Sequence, residues 1–208
     1  PRLEENLRLF VTVVMSRYIL RHWKGGQMVR SAVTGQNGFI GKALTRELTK
    51  LGHQVLLLPR DWKEIPDCDY IFHLAAHGNK YNQQDEEEII KTNILLLYRL
   101  LSASKDIPYK GFINFSSSST LLDYETFYSA TKGAGERIVR AFVTKYDKPV
   151  VTVRPYSVYG PGDDPKHFIP IAIKAFKEDL ELNVAPGEHD WIYISDLVLG
   201  VLKIAENA

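Results

Sequence analysis

The chain has 208 residues, of which 45% are hydrophobic and 25% charged, and 26 basic against 25 acidic residues give a formal net charge of +1. The balanced charge excludes the strongly basic field by which proteins attract nucleic acid or an anionic membrane. A single cysteine, Cys68, excludes an internal disulfide and a zinc cluster of thiolates. We expect one α/β domain, or one domain with a small lobe, in a reducing compartment such as the cytoplasm.

Residues 1–27 do not fit the pattern of the rest of the chain. Their apolar run at 9–20 is interrupted by Ser16 and Arg17 and is shorter than the roughly 20 residues that a membrane-spanning helix needs. No small-residue cleavage site of a signal peptide comes after it. We interpret this segment as an N-terminal extension, either a peripheral amphipathic helix or a stretch foreign to the fold, and we expect no membrane partner. Met28 is a natural start for the remainder of the chain.

From Met28 onward, short apolar runs alternate with longer segments of helical period. Strands are predicted at 29–34, 54–58, 70–74, 111–116 and 150–154, and helices at 39–51, 85–103, 128–146 and from about 196. The acidic residues 85–88 complement the positive end of a helix dipole, so they are interpreted as a cap and not as a site. This alternation of buried strands and helices predicts an α/β fold with a doubly wound parallel sheet.

A glycine-rich segment joins the first predicted strand to the first predicted helix. Its three glycines permit a tight turn, close approach of the backbone to a pyrophosphate and close packing of the helix on the strand. The helix N-terminus then offers free N–H groups and a positive dipole end to the phosphates. The predicted cofactor-binding residues of this loop are Gly35, Asn37, Gly38, Phe39, Ile40 and Gly41.

Tyr128 and Lys132, four residues apart, share one face at the start of a predicted helix. A free tyrosine has a pKa of about 10 and is a poor base near neutrality. A lysine ammonium one turn away, together with the charge of a nicotinamide, favours the phenolate. The preceding strand ends in serines at 116–119, which supply a hydroxyl to hold a substrate oxygen. We predict that these side chains move a proton during a hydride transfer.

In this order, the two motifs resemble the extended short-chain dehydrogenases/reductases, the NAD-dependent epimerase/dehydratase family. The glycine loop has the form T-G-x-x-G-F-I-G and the second motif is Y-x-x-x-K. The resemblance extends over about residues 28–205 and implies a Rossmann-type fold, an NAD or NADP cofactor and a nucleotide-sugar substrate. It also implies that Ser118, the third serine of F-S-S-S, is the catalytic hydroxyl that acts with Tyr128 and Lys132.

Other segments are similar to the same family. Residues 73–76, His-Leu-Ala-Ala, match a strand end whose small side chains let the cofactor lie against the sheet, and Asn93 matches an asparagine that fixes the active-site backbone. Residues 154–162 and 190–196 match stretches that lead into and through the substrate lobe. The resemblance thereby adds the cofactor-binding residues Leu74, Ala75, Ala76, Asn93, Tyr128 and Lys132, and the substrate-binding residues His77, Ser118, Ser119 and His189.

The resemblance also implies a division of the chain. Residues 28–162 are expected to form the NAD(P)-binding Rossmann core, and 163–208 a small substrate-binding region whose final helix returns to the core. That region is expected to be incomplete, because family members usually continue for some tens of residues. The short link between the second strand and His73 leaves no room for one strand that the family usually has.

The choice between NAD and NADP is left open by the sequence. The second strand of the family often ends in an acidic residue that holds the ribose of NAD, whereas Pro59 and Arg60 lie there in this chain. An arginine at this point can pair with the 2′-phosphate of NADP, so Arg60 is a candidate cofactor-binding residue. The alternatives are that Arg60 is simply solvated and that Asp61 serves the ribose.

Residues that differ from the family pattern limit which of the family's reactions we expect. Dehydratases carry an Asp-Glu pair where this chain has Ser119 and Thr120, which disfavours dehydration. The leading hypothesis is an NAD(P)-dependent nucleotide-sugar epimerase, and the second is an NADP-dependent 4-keto-sugar reductase. A third is a catalytically silent dinucleotide-binding protein, because His189 replaces an arginine that contacts the substrate diphosphate.

Partners and metals complete the predictions. The family commonly dimerises through two helices, and residues 95–101 and 138–142 are apolar enough for a homodimer interface, although they equally suit a core. His73 and His77 would share a face only on a helix, and since His73 ends a strand we predict no metal site. Four aromatic residues are interpreted as core and not as a platform for stacking nucleic-acid bases: Tyr156, Tyr159, Trp191 and Tyr193.

Overall fold

The computed structural model of the protein describes residues 28–80, 82–184, 187 and 189–208. The predicted extension at 1–27 lies outside the described residues. The strands are β1 (Arg30–Thr34), β2 (Gln54–Leu57), β3 (Tyr70–His73), β4 (Gly111–Phe115), β5 (Val150–Val153), β6 (Ser157–Tyr159) and β7 (Trp191–Tyr193). The helices are α1 (Phe39–Lys50), α2 (Glu86–Ile90), α3 (Leu96–Ser104), α4 (Phe127–Tyr146), α5 (Phe168–Glu178) and α6 (Ile194–Glu206).

The first five strands form one parallel sheet in the order β2-β1-β3-β4-β5. Ala32 at the centre of β1 pairs with Leu56 on one side and with Ile71 on the other. The chain therefore runs outward from β1 to β2 and then crosses to the opposite side with β3. Carboxyl ends of strands on either side of such a reversal frame the crevice in which doubly wound folds bind ligands. The predicted fold class is confirmed.

Helices cover both faces of the sheet, and a separate apolar cluster lies under each layer. Leu44 of α1 and Leu202 of α6 are fully buried in one cluster, and Leu100 of α3 packs with Val139 of α4 in the other. Residues of β3 and β4 are buried throughout because helices lie on both sides of them. Each large side chain buried in this way contributes about 1.5–3 kcal/mol. The sheet is thus a rigid base for the loops at its carboxyl edge.

The helix predicted at 85–103 is three consecutive pieces. Asp85 caps α2 by accepting a hydrogen bond from the backbone N–H of Glu88, and three glutamates occupy the first turn, so the predicted acidic cap is confirmed. A π-helical turn, Lys91–Leu95, then separates α2 from α3. Such turns carry one residue more than an α-helical turn and occur frequently at functional sites.

The region from Ser157 onward contains structure that the sequence pattern does not predict. β6 and β7 form a second, two-stranded parallel sheet, and α5 lies between them in the chain. Prolines loosen the apolar pattern of this stretch, but Pro170 falls in the first turn of α5, where a missing N–H costs no helical hydrogen bond. Helix α6 begins at Ile194, two residues before the predicted position. Within the described residues, no helix has the length and apolar character that crossing a membrane requires.

Candidate active site

The predicted cofactor loop lies at the carboxyl end of β1 and depends on two glycines. Gly35 has φ +73°, and a Cβ there would lie 2.5 Å from the backbone nitrogen of Ala75. A Cβ on Gly41 would lie 2.2 Å from the carbonyl oxygen of Gly35. Only hydrogen fits at either position, so the loop, the 73–76 strand end and the start of α1 are packed backbone against backbone. Gly38 is the N-cap of α1, and no side chain forms a hydrogen bond at this cap.

This cradle fits a dinucleotide. The first-turn N–H groups of α1 lie at the positive end of the helix dipole, and the absence of side chains lets a pyrophosphate approach them closely. Leu74, Ala75 and Ala76 line the adjacent strand end, where they are half-buried. The residues present are therefore suited to the cofactor that the glycine pattern predicts.

His73 anchors the two strand ends that form this crevice. Its Nδ1 lies 2.8 Å from Thr34 Oγ1, and the same oxygen accepts a hydrogen bond from the backbone N–H of Ala75. Burial, reinforced by the positive charge of Lys132, lowers the pKa of His73 to about 3. The imidazole is thus a neutral structural group at physiological pH. Among the described residues, no group of three or more His, Cys, Asp or Glu side chains is arranged to hold a metal ion.

Asn93 lies in the π-helical turn and fixes the loop that follows β3. Its amide accepts a hydrogen bond from the backbone N–H of His77 and donates one to the carbonyl of the same residue, both at 2.9 Å. It also donates to Thr131 Oγ1 at 2.9 Å, which links the loop to α4. Asn93 therefore holds backbone in place, as the family resemblance implies. That the side chain of His77 contacts substrate stays a prediction.

Tyr128 is presented by the capped N-terminus of α4. Thr126 and Ser129 form a capping box, in which each side chain accepts a hydrogen bond from the backbone N–H of the other. The Tyr128 side chain is half-buried in the second position of the helix, and the nearby Ser117 side chain lowers the pKa of its phenol. The cap thus fixes the direction in which the phenol leaves the helix.

The serine whose side chain influences the pKa of Tyr128 is Ser117, which sequence reasoning missed. Ser117 Oγ also accepts hydrogen bonds from the backbone N–H and the hydroxyl of Ser119, at 3.1 and 2.9 Å. Ser118, the predicted catalytic hydroxyl, begins a 3₁₀ turn, and its N–H donates to the carbonyl of Pro155 at 3.1 Å. Four consecutive serines give no signal for choosing between neighbours, and Ser118 and Ser119 stay predictions as substrate contacts.

Lys132 is buried one turn after Tyr128. Its ammonium donates to the backbone carbonyl of Phe115, the last residue of β4. Burial lowers the pKa of Lys132 to about 8, while the negative charge of Glu136 opposes this shift. A group with this pKa at the end of a central strand is suited to hold a ligand hydroxyl and to exchange charge near neutral pH.

The expectation that Lys132 and the charge of a nicotinamide together favour the phenolate of Tyr128 stays a prediction. Burial disfavours the charged phenolate, and this raises the pKa of Tyr128 by more than the nearby Ser117 hydroxyl lowers it. The Lys132 ammonium does not compensate, because it is bound to the carbonyl of Phe115. Depression of the Tyr128 pKa therefore requires the additional positive charge of a bound nicotinamide.

Arg60 lies beyond the end of β2, where its guanidinium forms an ion pair with Glu88 of α2. Arg60 and Glu88 line a cavity of about 330 Å³ together with Lys91, Thr92, Leu95, Leu96 and Arg99. Three of these side chains are cationic and one is anionic. The Arg60 side chain is 69% exposed, so a solvated arginine and a cofactor-binding arginine both stay predictions.

His189 lies two residues before β7. Its Nε2 is 2.5 Å from Ser157 Oγ, and its ring centroid is 4.7 Å from that of Trp191. Tyr159 packs edge-on against Trp191, with ring centroids 6.4 Å apart. These contacts build an aromatic cluster on the small sheet rather than in the main core. Trp191 is 39% exposed, Tyr156 46% and Tyr193 37%, so the expectation that these aromatics are core residues is wrong for these three.

Two proteins with described functions are similar to this chain in sequence. CDP-abequose synthase of Salmonella muenchen is 28% identical over 204 residues, an alignment that includes 84% of this chain and 69% of the relative. A protein of Bacillus subtilis described as the uncharacterized UDP-glucose epimerase YtcB is 28% identical over 229 residues, with 83% of this chain and 71% of the relative covered.

Solved structures show the same fold. Epimerase Mth375 of Methanothermobacter thermautotrophicus superposes with a TM-score of 0.73 at 23% identity, over 90% of this chain and 70% of that one. UDP-glucuronic acid 4-epimerase of Bacillus cereus, solved in complex with NAD, superposes with a TM-score of 0.71 at 24% identity, over 85% and 73%. The sequence profile of one family matches residues 31–208. The chain belongs to the NAD dependent epimerase/dehydratase family.

Proposed function

We propose that this protein is an NAD-dependent epimerase of a nucleotide sugar. The observation that carries the proposal is that one edge of the sheet brings together the glycine cradle after β1, the serine-rich end of β4 and the buried Lys132 one helical turn after Tyr128. Family membership and relatives described as nucleotide-sugar epimerases support the same function.

In this proposal the chain provides binding, orientation and proton transfer. Gly35 and Gly41 let the loop approach the cofactor pyrophosphate, and Lys132 holds the hydroxyls of the nicotinamide ribose. Bound NAD supplies the acceptor and the donor of the hydride. Tyr128 takes the proton of the sugar hydroxyl when that carbon is oxidised to a ketone and returns it when the ketone is reduced on its other face. Ser118 or Ser117 holds the sugar oxygen during both steps.

The first test is to identify the dinucleotide released from denatured protein and then to incubate the protein with UDP-, CDP- and dTDP-hexoses. The proposal expects retained NAD and a new epimer, followed by NMR of the anomeric protons, with no net change in NADH absorbance. Tyr128→Phe should abolish the new signals, whereas Tyr124→Phe, an exposed tyrosine just before the same helix, should not. Bound dinucleotide without turnover would instead support a silent binding protein.

A second candidate, an NADP-dependent reductase of a nucleotide 4-keto sugar, is favoured by one observation. The cavity beside Arg60 carries three cationic side chains and one carboxylate, a balance that suits a 2′-phosphate. This candidate expects stoichiometric oxidation of NADPH with a 4-keto sugar, and a preference for NADP over NAD that Arg60→Ala removes. Tighter binding of NAD than of NADP by the unaltered protein would exclude it.

We also propose that the protein forms a homodimer through α3 and α4. Most apolar residues predicted for that interface, among them Leu97, Leu100 and Phe142, are instead buried in the core, but Leu95 and Tyr98 are 56% and 61% exposed. Replacement of both exposed residues by lysine should convert a dimer to a monomer in sedimentation analysis. A monomer before any substitution would contradict the proposal.

A further inference from the structure

Helix α4 is tied to the end of β4 at two points that are one helical turn apart. Lys132 donates to the backbone carbonyl of Phe115. Four residues later on the same face, Glu136 accepts a hydrogen bond of 2.5 Å from the hydroxyl of Ser116. Two successive residues of the strand end are therefore held by two successive positions of one helix face.

The second of these ties is closed by an arginine from the neighbouring strand. Arg154 follows β5, and its Nε donates to Glu136 Oε1 at 2.7 Å while a second guanidinium nitrogen donates to Oε2. This is the two-pronged geometry in which arginine–carboxylate pairs are strong. Glu136 is 9% exposed and has partners on both carboxylate oxygens. Three segments of chain thus meet on one buried anion.

The charge of this anion bears on the lysine. The groups that face Lys132 are Glu136 and Tyr128 on its own helix, His73 on β3 and the carbonyl of Phe115 on β4. Of these, Glu136 is the one whose charge raises the pKa of Lys132 against the effect of burial. The hydrogen bonds from Arg154, and to a lesser degree from Ser116, lower the pKa of Glu136 and keep it ionised.

We propose that Glu136 is a positioning residue for Lys132: held by Arg154, it binds Ser116 and so fixes the strand end whose preceding carbonyl, on Phe115, receives the Lys132 ammonium. This role rests on the proposed function, in which Lys132 contacts the cofactor ribose. It extends the set of Ser, Tyr and Lys by a carboxylate that touches neither substrate nor cofactor. Loss of this carboxylate is expected to leave Lys132 neutral over much of the neutral pH range.

The test measures the titration of the Lys132 side-chain nitrogen by NMR in the full chain, with the signal identified by its absence in Lys132→Gln. Glu136→Gln keeps the size of the side chain and removes its charge, so the titration midpoint should fall by about one pH unit. Glu136→Asp, which restores the charge, should return it toward that of the unaltered protein. Glu206→Gln is the matched control, because it removes the carboxylate of an ion pair on α6 far from the lysine.

An unchanged midpoint in folded Glu136→Gln would overturn the inference. If that variant does not fold, Ser116→Ala takes its place, because it removes a hydrogen bond that holds Glu136 and changes no charge, and an unchanged midpoint in that variant would overturn the inference. The measurement needs neither substrate nor cofactor, so it is separate from the proposed function. If the titration midpoint of Lys132 falls in Glu136→Gln but the protein turns over no nucleotide sugar, the proposed function is contradicted and the role of Glu136 is supported.

Discussion

Asn93 and the backbone of His77 exchange two hydrogen bonds, each of 2.9 Å, and so join the π-helical turn to the loop beyond β3. A side-chain amide used in this way replaces the strand partner that the loop lacks. The loop residues that would face a cofactor, 74–76, are therefore held in place by a residue that lies 17 positions or more away in the chain.

Asn93→Ala should lower the free energy of unfolding by about 1–3 kcal/mol, because it leaves the N–H and carbonyl of His77 without these partners. NAD affinity should fall with it, since the same loop borders the cofactor cradle. Urea unfolding and a titration with NAD measure the two effects. Asn183→Ala, at an exposed position, is the control and should alter neither. Unchanged NAD affinity in Asn93→Ala would show that the position of this loop does not determine cofactor binding.

Gly41→Ala should destabilise the protein by about 1–3 kcal/mol and weaken NAD binding, because the new methyl group would lie 2.2 Å from the carbonyl oxygen of Gly35. The matched variant is Gly200→Ala in α6, where a Cβ meets nothing within 4 Å. That change should raise stability by about 0.5–1 kcal/mol, as alanine does in a helix. Thermal unfolding of the two variants side by side checks the opposite signs, and equal effects would contradict the close packing of the loop.

Tyr128→Phe should reduce kcat by at least about 100-fold, the usual contribution of a positioned proton donor. The fold should persist, since the change removes one hydroxyl from a half-buried ring, and NAD should still bind. Circular dichroism and a dinucleotide titration establish those two points before turnover is measured. Substantial turnover in the phenylalanine variant would assign the proton to another group.

Ser117→Ala and Ser118→Ala distinguish the serine that influences the pKa of Tyr128 from the one that the family resemblance favours. The Ser117 side chain lowers the pKa of Tyr128, so its loss should move the alkaline rise of the turnover rate to higher pH. Ser118→Ala should reduce kcat without moving that rise. The reverse pattern would show that Ser118, and not Ser117, is the hydroxyl coupled to Tyr128.

The free energy of unfolding at acidic pH should depend on His73. The folded protein holds His73 neutral with a pKa of about 3, against 6.5 for an unperturbed histidine. The unfolded chain therefore binds more protons below pH 6.5, and stability falls as the pH decreases toward about 3, by up to about 1.4 kcal/mol per pH unit. His73→Asn should flatten this dependence in urea unfolding between pH 6.5 and 4, whereas His167→Asn, at an exposed position, should not. An equal slope in both variants would rule out His73 as the source.

The sheet and the cofactor loop could be predicted because their signals are local. Buried strands such as β3 and β4 are continuous apolar runs, and the glycines at 35, 38 and 41 occur within one turn and the start of one helix. The small sheet of β6 and β7 could not be predicted, because its strands are only three residues long and paired residues such as Ser157 and Trp191 are 34 positions apart in the chain. The sequence also does not predict which side chains of the site form hydrogen bonds with one another. Residue spacing along the chain does not indicate which of the four serines lies beside Tyr128. It also does not indicate that Arg154 and Ser116 both bind Glu136.

The π-helical turn at Lys91–Leu95 has a consequence for how this helix tolerates change. An α-helix advances each residue by about 100° around its axis, so one surplus residue offsets the phase of α3 relative to α2. The turn thus lets Asn93 face the loop beyond β3 while Leu97 and Leu100 face the core. A single-residue deletion here, which would regularise the helix, would rotate one of these two sets of side chains away from its partners. Length in this segment is therefore constrained more tightly than residue identity at its exposed positions.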